Sequence, residues 1–350
     1  MKAAVVVAYN DIQYMDIPAP EVCAGEIKVS VRHCGICGSD IPRVLKGNVH
    51  SFPQVLGHEF SGIVTEIGSG VSSVAIGDHV VGVPLVPCHK CEDCKNGNYS
   101  LCKHYSFIGS RQQGAMAEYV VVPEQNVIKI SNSIPLDLAA LFEPSTIALH
   151  GILISDFHPS ATNHVLVIGA GTIALFTLQW CKILGAKNIT VIIRNKEREG
   201  IVIKYGADKV LSSLDNGFEK VAMDVTKNRG FDYVLDAAGT PETIKTAMRL
   251  AANKSHVCFI GTPTQPVNFS VKEWELLNRR EMIVTGSWMS YSSPFPGIEW
   301  QKTAECMADG RLHIDDDMIY THFPLSEIKE AFKLYEENAS SVKGRIMLDI

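Results

Sequence analysis

The chain has no excess of positive charge: 32 Lys and Arg stand against 38 Asp and Glu, a net charge of -6 over 350 residues. The basic residues are scattered, so nothing favours a nucleic acid or an anionic membrane surface as partner. Aromatics are sparse, at 8%, and form no platform for stacking bases. No segment reaches about 18 uninterrupted apolar residues, the length of a membrane span. The apolar run within Met1-Lys2-Ala3-Ala4-Val5-Val6-Val7-Ala8-Tyr9-Asn10 is too short for a signal peptide, and a cytoplasmic protein is expected. Low-complexity linkers and internal repeats are absent too. What remains is an ordinary globular composition, 46% hydrophobic, with length for about two domains.

Cysteine, in contrast, is plentiful. Four of the ten cysteines, Cys88, Cys91, Cys94 and Cys102, are spaced C-x2-C-x2-C-x7-C in a loop-like stretch. Such spacing lets four thiolates wrap one tetrahedral zinc and leaves no open position. A closed site of this kind holds structure and does no chemistry. The other six, Cys23, Cys34, Cys37, Cys181, Cys258 and Cys306, are scattered along the chain. Reduced thiols plus metal is therefore expected, not a disulfide scaffold.

Sequence texture changes near residue 160. Before it, Glu26-Ile27-Lys28-Val29-Ser30-Val31 alternates as a half-buried strand does. Gly57 to Val83 is a series of β-branched runs punctuated by glycine, which suits a small antiparallel barrel. Ala117 to Val122 reads as another strand. After it, His164–Ile168, Asn188–Ile193, Phe231–Asp236, His256–Ile260 and Met282–Thr285 read as buried strands separated by helical patterns. The first helix is expected from Thr172 to Leu184, ended by Gly185. That alternation predicts a doubly wound parallel sheet. The expected organisation is a β-rich domain over residues 1–150, a nucleotide domain over 151–286, and a segment 287–350 that returns to the first domain.

Gly169-Ala170-Gly171-Thr172-Ile173-Ala174 fits G-x-G-x-x-[G/A] between a strand and a helix. The first glycine allows the tight turn. The second lets the backbone approach a pyrophosphate at the helix N-terminus. The expected cofactor contacts are Gly169, Gly171, Thr172 and Ile173, with Ile193 and Arg194 at the end of the next strand. An NAD site usually carries a carboxylate about 20 residues on; here Ile192-Ile193-Arg194-Asn195-Lys196 stands instead. Arg194 and Lys196 could receive a 2′-phosphate, so NADP is weighed slightly above NAD.

Cys37 lies in Gly35-Ile36-Cys37-Gly38-Ser39-Asp40, His58 and Glu59 in Gly57-His58-Glu59-Phe60-Ser61-Gly62, and Glu143 in Leu141-Phe142-Glu143-Pro144-Ser145. Together they offer sulfur, nitrogen and oxygen donors from three segments, a mixture that suits an open, catalytic zinc. The stretch Gly57-His58-Glu59-x2-Gly62-x5-Gly68-x2-Val71, continued by Gly77-Asp78-His79-Val80, resembles the signature of zinc-containing alcohol dehydrogenases of the medium-chain superfamily. The four cysteines and the Gly169 loop follow in that family's order.

That resemblance implies an α/β architecture: a GroES-like β-barrel catalytic domain with an inserted Rossmann domain. It implies two zinc ions per chain, one structural and one catalytic, and NAD or NADP. It implies that Cys37, His58 and Glu143 ligate the catalytic zinc, with Glu59 as a fourth ligand or just behind. A glutamate at position 143 is the polyol dehydrogenase pattern. Ser39 matches the hydroxyl that receives the substrate proton, while Pro42 stands where liver-type enzymes have a relay histidine. Homodimers or homotetramers are expected.

The stretch from Gly286 to Trp300, with Ser39 to Arg43 and Phe107 to Arg111, narrows the resemblance to the branch acting on sugar-alcohol phosphates. Galactitol 1-phosphate, oxidised to tagatose 6-phosphate, is the expected substrate. The alternative is another polyol or polyol phosphate, of the arabitol phosphate, sorbitol or threonine type. A phosphorylated substrate needs a cationic anchor, and Arg43, Lys46 and Arg111 are the candidates. A non-catalytic protein on the same scaffold is disfavoured, because it would have no use for Cys37, His58 and Glu143.

Overall fold

The computed structural model describes residues 1–338 and 341–350. The chain divides into two compact units, Met1–Glu143 with Tyr291–Ile350, and Pro144–Ser290. The divisions fall at 143/144 and 290/291, not at the expected 150/151 and 286/287. The reason at the first is visible in the helix Phe142–Ile154, which runs straight across the division. Change of sequence texture marks the end of that helix, not its start.

The first unit is a mostly antiparallel β structure, with one parallel pair between Ile319–Pro324 and Arg345–Asp349. Its larger sheet runs in the order Val127–Lys129, His79–Gly82, Glu59–Ile67, Glu26–Ile36, Arg345–Asp349, Ile319–Pro324, with Tyr119–Pro123 also paired to Glu26–Ile36. The alternation of Glu26–Ile36 buries Ile27, Val29 and Val31 on one face, as a period of two demands. The last strand pairs antiparallel with it, Leu348 opposite Cys34, so the end of the chain completes this unit. Its core is built on Ala4, Val6, Ile27, Val29, Leu56 and Phe60.

The second unit is a six-stranded, all-parallel sheet in the order Lys209–Ser212, Asn188–Ile193, His164–Ile168, Phe231–Asp236, Ala251–Phe259, Ile283–Gly286. Numbered along the unit this is 3-2-1-4-5-6, the doubly wound dinucleotide-binding order. The central strands are continuous apolar runs because helices cover both faces. Leu166, Ile168, Phe231, Val234 and Val257 form the core. Among the helices, Thr172–Ile183 buries Trp180 completely, its indole N–H donating to the Ser145 carbonyl at 3.1 Å.

Among the described residues, one apolar helical stretch, Leu136–Ile154, has the length and composition of a membrane span, but 67% of its apolar window is buried within the fold. It is a core helix.

Candidate functional site

Strand register creates the first cluster. Glu26–Ile36 and Glu59–Ile67 pair antiparallel with Gly35 opposite Glu59. Cys37, just past one strand, and His58, just before the other, are therefore brought side by side. Cys37, His58 and Glu59 each present a donor atom within 4.8 Å of the others. Two glycines make room. Gly57 has φ +96, and a Cβ there would sit 2.7 Å from Cys34 Sγ. At Gly35 a Cβ would sit 2.7 Å from Glu59 Oε2.

The surroundings of the cluster are built for a cation. His58 and Glu59 are buried, and so are Asp40 and Glu143. Asp40 Oδ1 lies 3.7 Å from His58 Nδ1, and Asp40 Oδ2 accepts from the Cys37 N–H at 3.1 Å. An imidazole whose Nδ1 faces a carboxylate is oriented to offer its other nitrogen to a metal. Arg345 Nε sits 2.8 Å from Glu59 Oε2. The pair is close but poorly aligned, so both atoms, like His58 Nδ1, are buried without a hydrogen bond. Unsatisfied buried polar atoms are costly, and an ion bound at Glu59 Oε2 would remove that part of the cost.

Burial pushes the Glu59 carboxyl up to about 8, against the opposing pull of Arg345. Burial likewise pushes Glu143 up to about 7. Glu143 opens the helix Phe142–Ile154 and feels the charges of His58, Glu59, Arg345 and Asp40, yet does not join the tight Cys37–His58–Glu59 group. The donor set of thiolate, imidazole and carboxylate fits zinc.

Beside the cluster, exposed Ser39 caps the short helix Asp40–Leu45. Its Oγ accepts from Arg43 Nη1 at 2.8 Å, and Arg43 also reaches Asp40 Oδ1 at 3.1 Å. Of the expected phosphate anchors, Arg43 is thus held next to Ser39. Arg111 lies over the Tyr105 ring at 4.3 Å, and Lys46 is exposed just past the helix. Asp40 and Arg345 are the residues sequence reasoning passed over. Asp40 follows Ser39 in the same motif and was legible there; Arg345 is placed by strand pairing and carries no local signal.

The four-cysteine lobe is separate. Cys91 caps the helix Glu92–Lys95, which contains Cys94, and Cys102 ends the 3-10 turn Tyr99–Leu101. All four Sγ atoms lie within 4.8 Å of one another, with Cys88–Cys94 and Cys91–Cys102 both at 3.9 Å. Tetrahedral zinc with bonds of about 2.3 Å sets sulfurs about 3.8 Å apart. The backbone N–H groups of Lys90 and Cys91 donate to Cys88 Sγ and pull its pKa down to about 6, favouring the thiolate a metal needs. All ten cysteines are free. Buried Tyr291 braces the lobe: its N–H donates to Ser100 Oγ at 3.0 Å and its hydroxyl accepts from the Leu85 N–H at 3.2 Å. It is a packing residue, whereas Trp288 is 53% exposed.

In the second unit, Gly169 ends the strand His164–Ile168 at φ +121, and Gly171 caps the helix Thr172–Ile183. Open space faces the Gly171 Cα, where a phosphate can meet backbone N–H groups. Ala174 is buried, as close packing of helix on strand requires. At the end of Asn188–Ile193, Ile193 is buried and Arg194 exposed. Lys196 is paired with Asp215 at 2.6 Å, which leaves Arg194 the better placed of the two for a 2′-phosphate. Arg198, which sequence reasoning also passed over, donates twice to the Ala170 carbonyl, at 3.2 and 2.9 Å, and so fixes the loop.

Residues 23–132 match the alcohol dehydrogenase GroES-like domain, and residues 172–307 match the zinc-binding dehydrogenase family. The chain is 36% identical over 290 residues to galactitol 1-phosphate 5-dehydrogenase of Escherichia coli (strain K12), covering 83% of each chain. It is 31% identical to D-arabitol-phosphate dehydrogenase of Enterococcus avium, covering 95% of this chain and 94% of that one. A crystal structure from Sinorhizobium meliloti 1021, described as a zinc-binding dehydrogenase bound to NADP, matches with a TM-score of 0.89 at 29% identity, over 100% of this chain and 99% of that one. With a GroES-like domain, a dinucleotide-type sheet and these matches along its length, the chain belongs to the zinc-binding alcohol dehydrogenase family and is an oxidoreductase.

Proposed function

We propose that this protein oxidises a sugar-alcohol phosphate, galactitol 1-phosphate to tagatose 6-phosphate, and passes the hydride to NAD or NADP. The observation that carries the reading is Arg43, a cation held 2.8 Å from Ser39 Oγ beside the buried Cys37–His58–Glu59 cluster. A polyol hydroxyl and a phosphate on one small molecule would need such a pair of groups side by side. The two named relatives, acting on galactitol 1-phosphate and on arabitol phosphate, support the substrate class.

Cys37, His58 and Glu143 would hold the catalytic zinc, with Glu59 as a fourth ligand or its neighbour. The bound ion supplies Lewis acidity that lowers the pKa of the substrate hydroxyl, and the nicotinamide accepts the hydride. Ser39 takes the hydroxyl proton while its own O–H passes a proton to the solvent it is exposed to: Arg43 occupies one lone pair of its Oγ and leaves the second for the substrate. Asp40 orients His58, and Arg345 offsets the buried charge of Glu59. Cys88, Cys91, Cys94 and Cys102 would hold the structural zinc. Gly169, Gly171, Thr172 and Ile173 would take the pyrophosphate, with Ile193 and Arg194 at the ribose end; Arg194 favours NADP, in keeping with the NADP-bound neighbour.

The protein would act as a homodimer or homotetramer. Edge strand Ile283–Gly286 leaves Ile283 and Val284 exposed, an edge that pairing with a second copy would cover. A panel of galactitol 1-phosphate, arabitol phosphate, glucitol 6-phosphate and the free polyols, each with NAD and NADP, tests the reading. Turnover confined to free polyols would refute it.

A further inference from the structure

Away from both clusters, three strands of the first unit bring together His33, His322 and Asp349. His33 lies on Glu26–Ile36, Asp349 on Arg345–Asp349 and His322 on Ile319–Pro324. The three strands are adjacent in the sheet, and Asp349 stands opposite His33 in the register. Nδ1 of His33 lies 3.0 Å from Asp349 Oδ1, and Nδ1 of His322 lies 2.8 Å from the same oxygen. The two rings meet edge to face, 6.3 Å apart.

We propose that His33, His322 and Asp349 form a third metal site, taking a borderline divalent ion such as Zn2+ or Ni2+. Three donor atoms within 4.8 Å of one another converge from hydrogen-bonded strands, so the backbone already holds the site together. Ligands of a tetrahedral ion with bonds of about 2.0–2.1 Å are about 3.3–3.4 Å apart, close to the two distances observed. Replacing two hydrogen bonds by metal bonds therefore needs only small side-chain movements. Two imidazoles with one carboxylate select zinc, nickel or copper over magnesium and calcium, which prefer oxygen ligands. Side-chain exposures of 26%, 39% and 46% leave the ion open to solvent, so water can complete its coordination.

Occupancy would tie the last strand to residues 33 and 322. An ion that binds the folded state and not the unfolded chain stabilises the fold in proportion to its concentration.

The test is zinc content after equilibrium dialysis against micromolar Zn2+, with the native protein compared to His33→Gln/His322→Gln and to Asp349→Asn. The native protein should hold one zinc more per chain than either variant. All three should turn over substrate alike, and the native protein should gain more thermal stability from the added metal than either variant. Equal zinc counts in all three would overturn the proposal. Should a variant not fold, crystals of the native protein soaked in Zn2+ decide it by anomalous scattering at the zinc edge. A peak among the three side chains is expected, and its absence there overturns the site.

Discussion

Glu59 is where the electrostatics of the Cys37–His58–Glu59 cluster turn. Its carboxylate is 1% exposed, burial raises its pKa to about 8, and Arg345 pulls the other way. Arg345→Met removes the guanidinium that faces the carboxyl, so above pH 8, where the metal-free carboxyl ionises, it leaves a buried uncompensated charge and costs up to about 3–5 kcal/mol; chemical denaturation of the metal-free protein at alkaline pH should show the loss. The pH dependence follows from the sign. A carboxyl whose folded pKa is raised destabilises the metal-free fold as pH climbs from 4.5 towards 8. Zinc needs the carboxylate, so zinc binding releases protons, and affinity should rise through pH 7 and 8 before levelling off. Competition titration with a chromophoric chelator measures this, and Arg345→Met should move the rise to higher pH. An affinity flat between pH 6 and 9 would rule out buried, protonated carboxyls at the site.

At the scale of elements, the four-cysteine lobe is a short helix and a 3-10 turn with little apolar core of their own. Metal must supply what packing does not. Cys91→Ser should remove one zinc per chain and lower the melting temperature, while the remaining protein keeps the Cys37–His58–Glu59 cluster and its activity at low temperature. Elements legible in the sequence were those whose burial is uniform. His164–Ile168, Asn188–Ile193 and Phe231–Asp236 are mostly apolar and buried because helices cover both faces of their sheet, and their bounds are those expected from the sequence. Lys209–Ser212 escaped notice because it is a four-residue edge strand with only Ser212 buried. Ala251–Phe259 begins earlier than its apolar run, since Lys254 at φ +58 interrupts the strand. Local motifs carried Cys37, His58 and Glu59; Arg345 was hidden because only pairing of the last strand with Glu26–Ile36 brings it to Glu59.

For the whole molecule, assembly and substrate choice are the open consequences. Ile283→Lys places a charge on the exposed edge of the parallel sheet, which edge strands use to block pairing; if copies pair through this edge as proposed, sedimentation should report a smaller species for the variant than for the native protein. An unchanged sedimentation coefficient would mean that the edge lies outside any interface. Under the proposed function, substrate choice would rest on the pairing of a reactive centre with a phosphate anchor. One charge-assisted hydrogen bond contributes about 1.5–3 kcal/mol, a factor of roughly 10–100 in rate constant ratios. The most direct measurement is therefore kcat/KM for galactitol 1-phosphate against galactitol, in the native protein and in Arg43→Ala. A preference for the phosphorylated polyol of at least about tenfold is expected, most of it lost through KM in the variant. Equal kcat/KM for the two polyols in the native protein would contradict it.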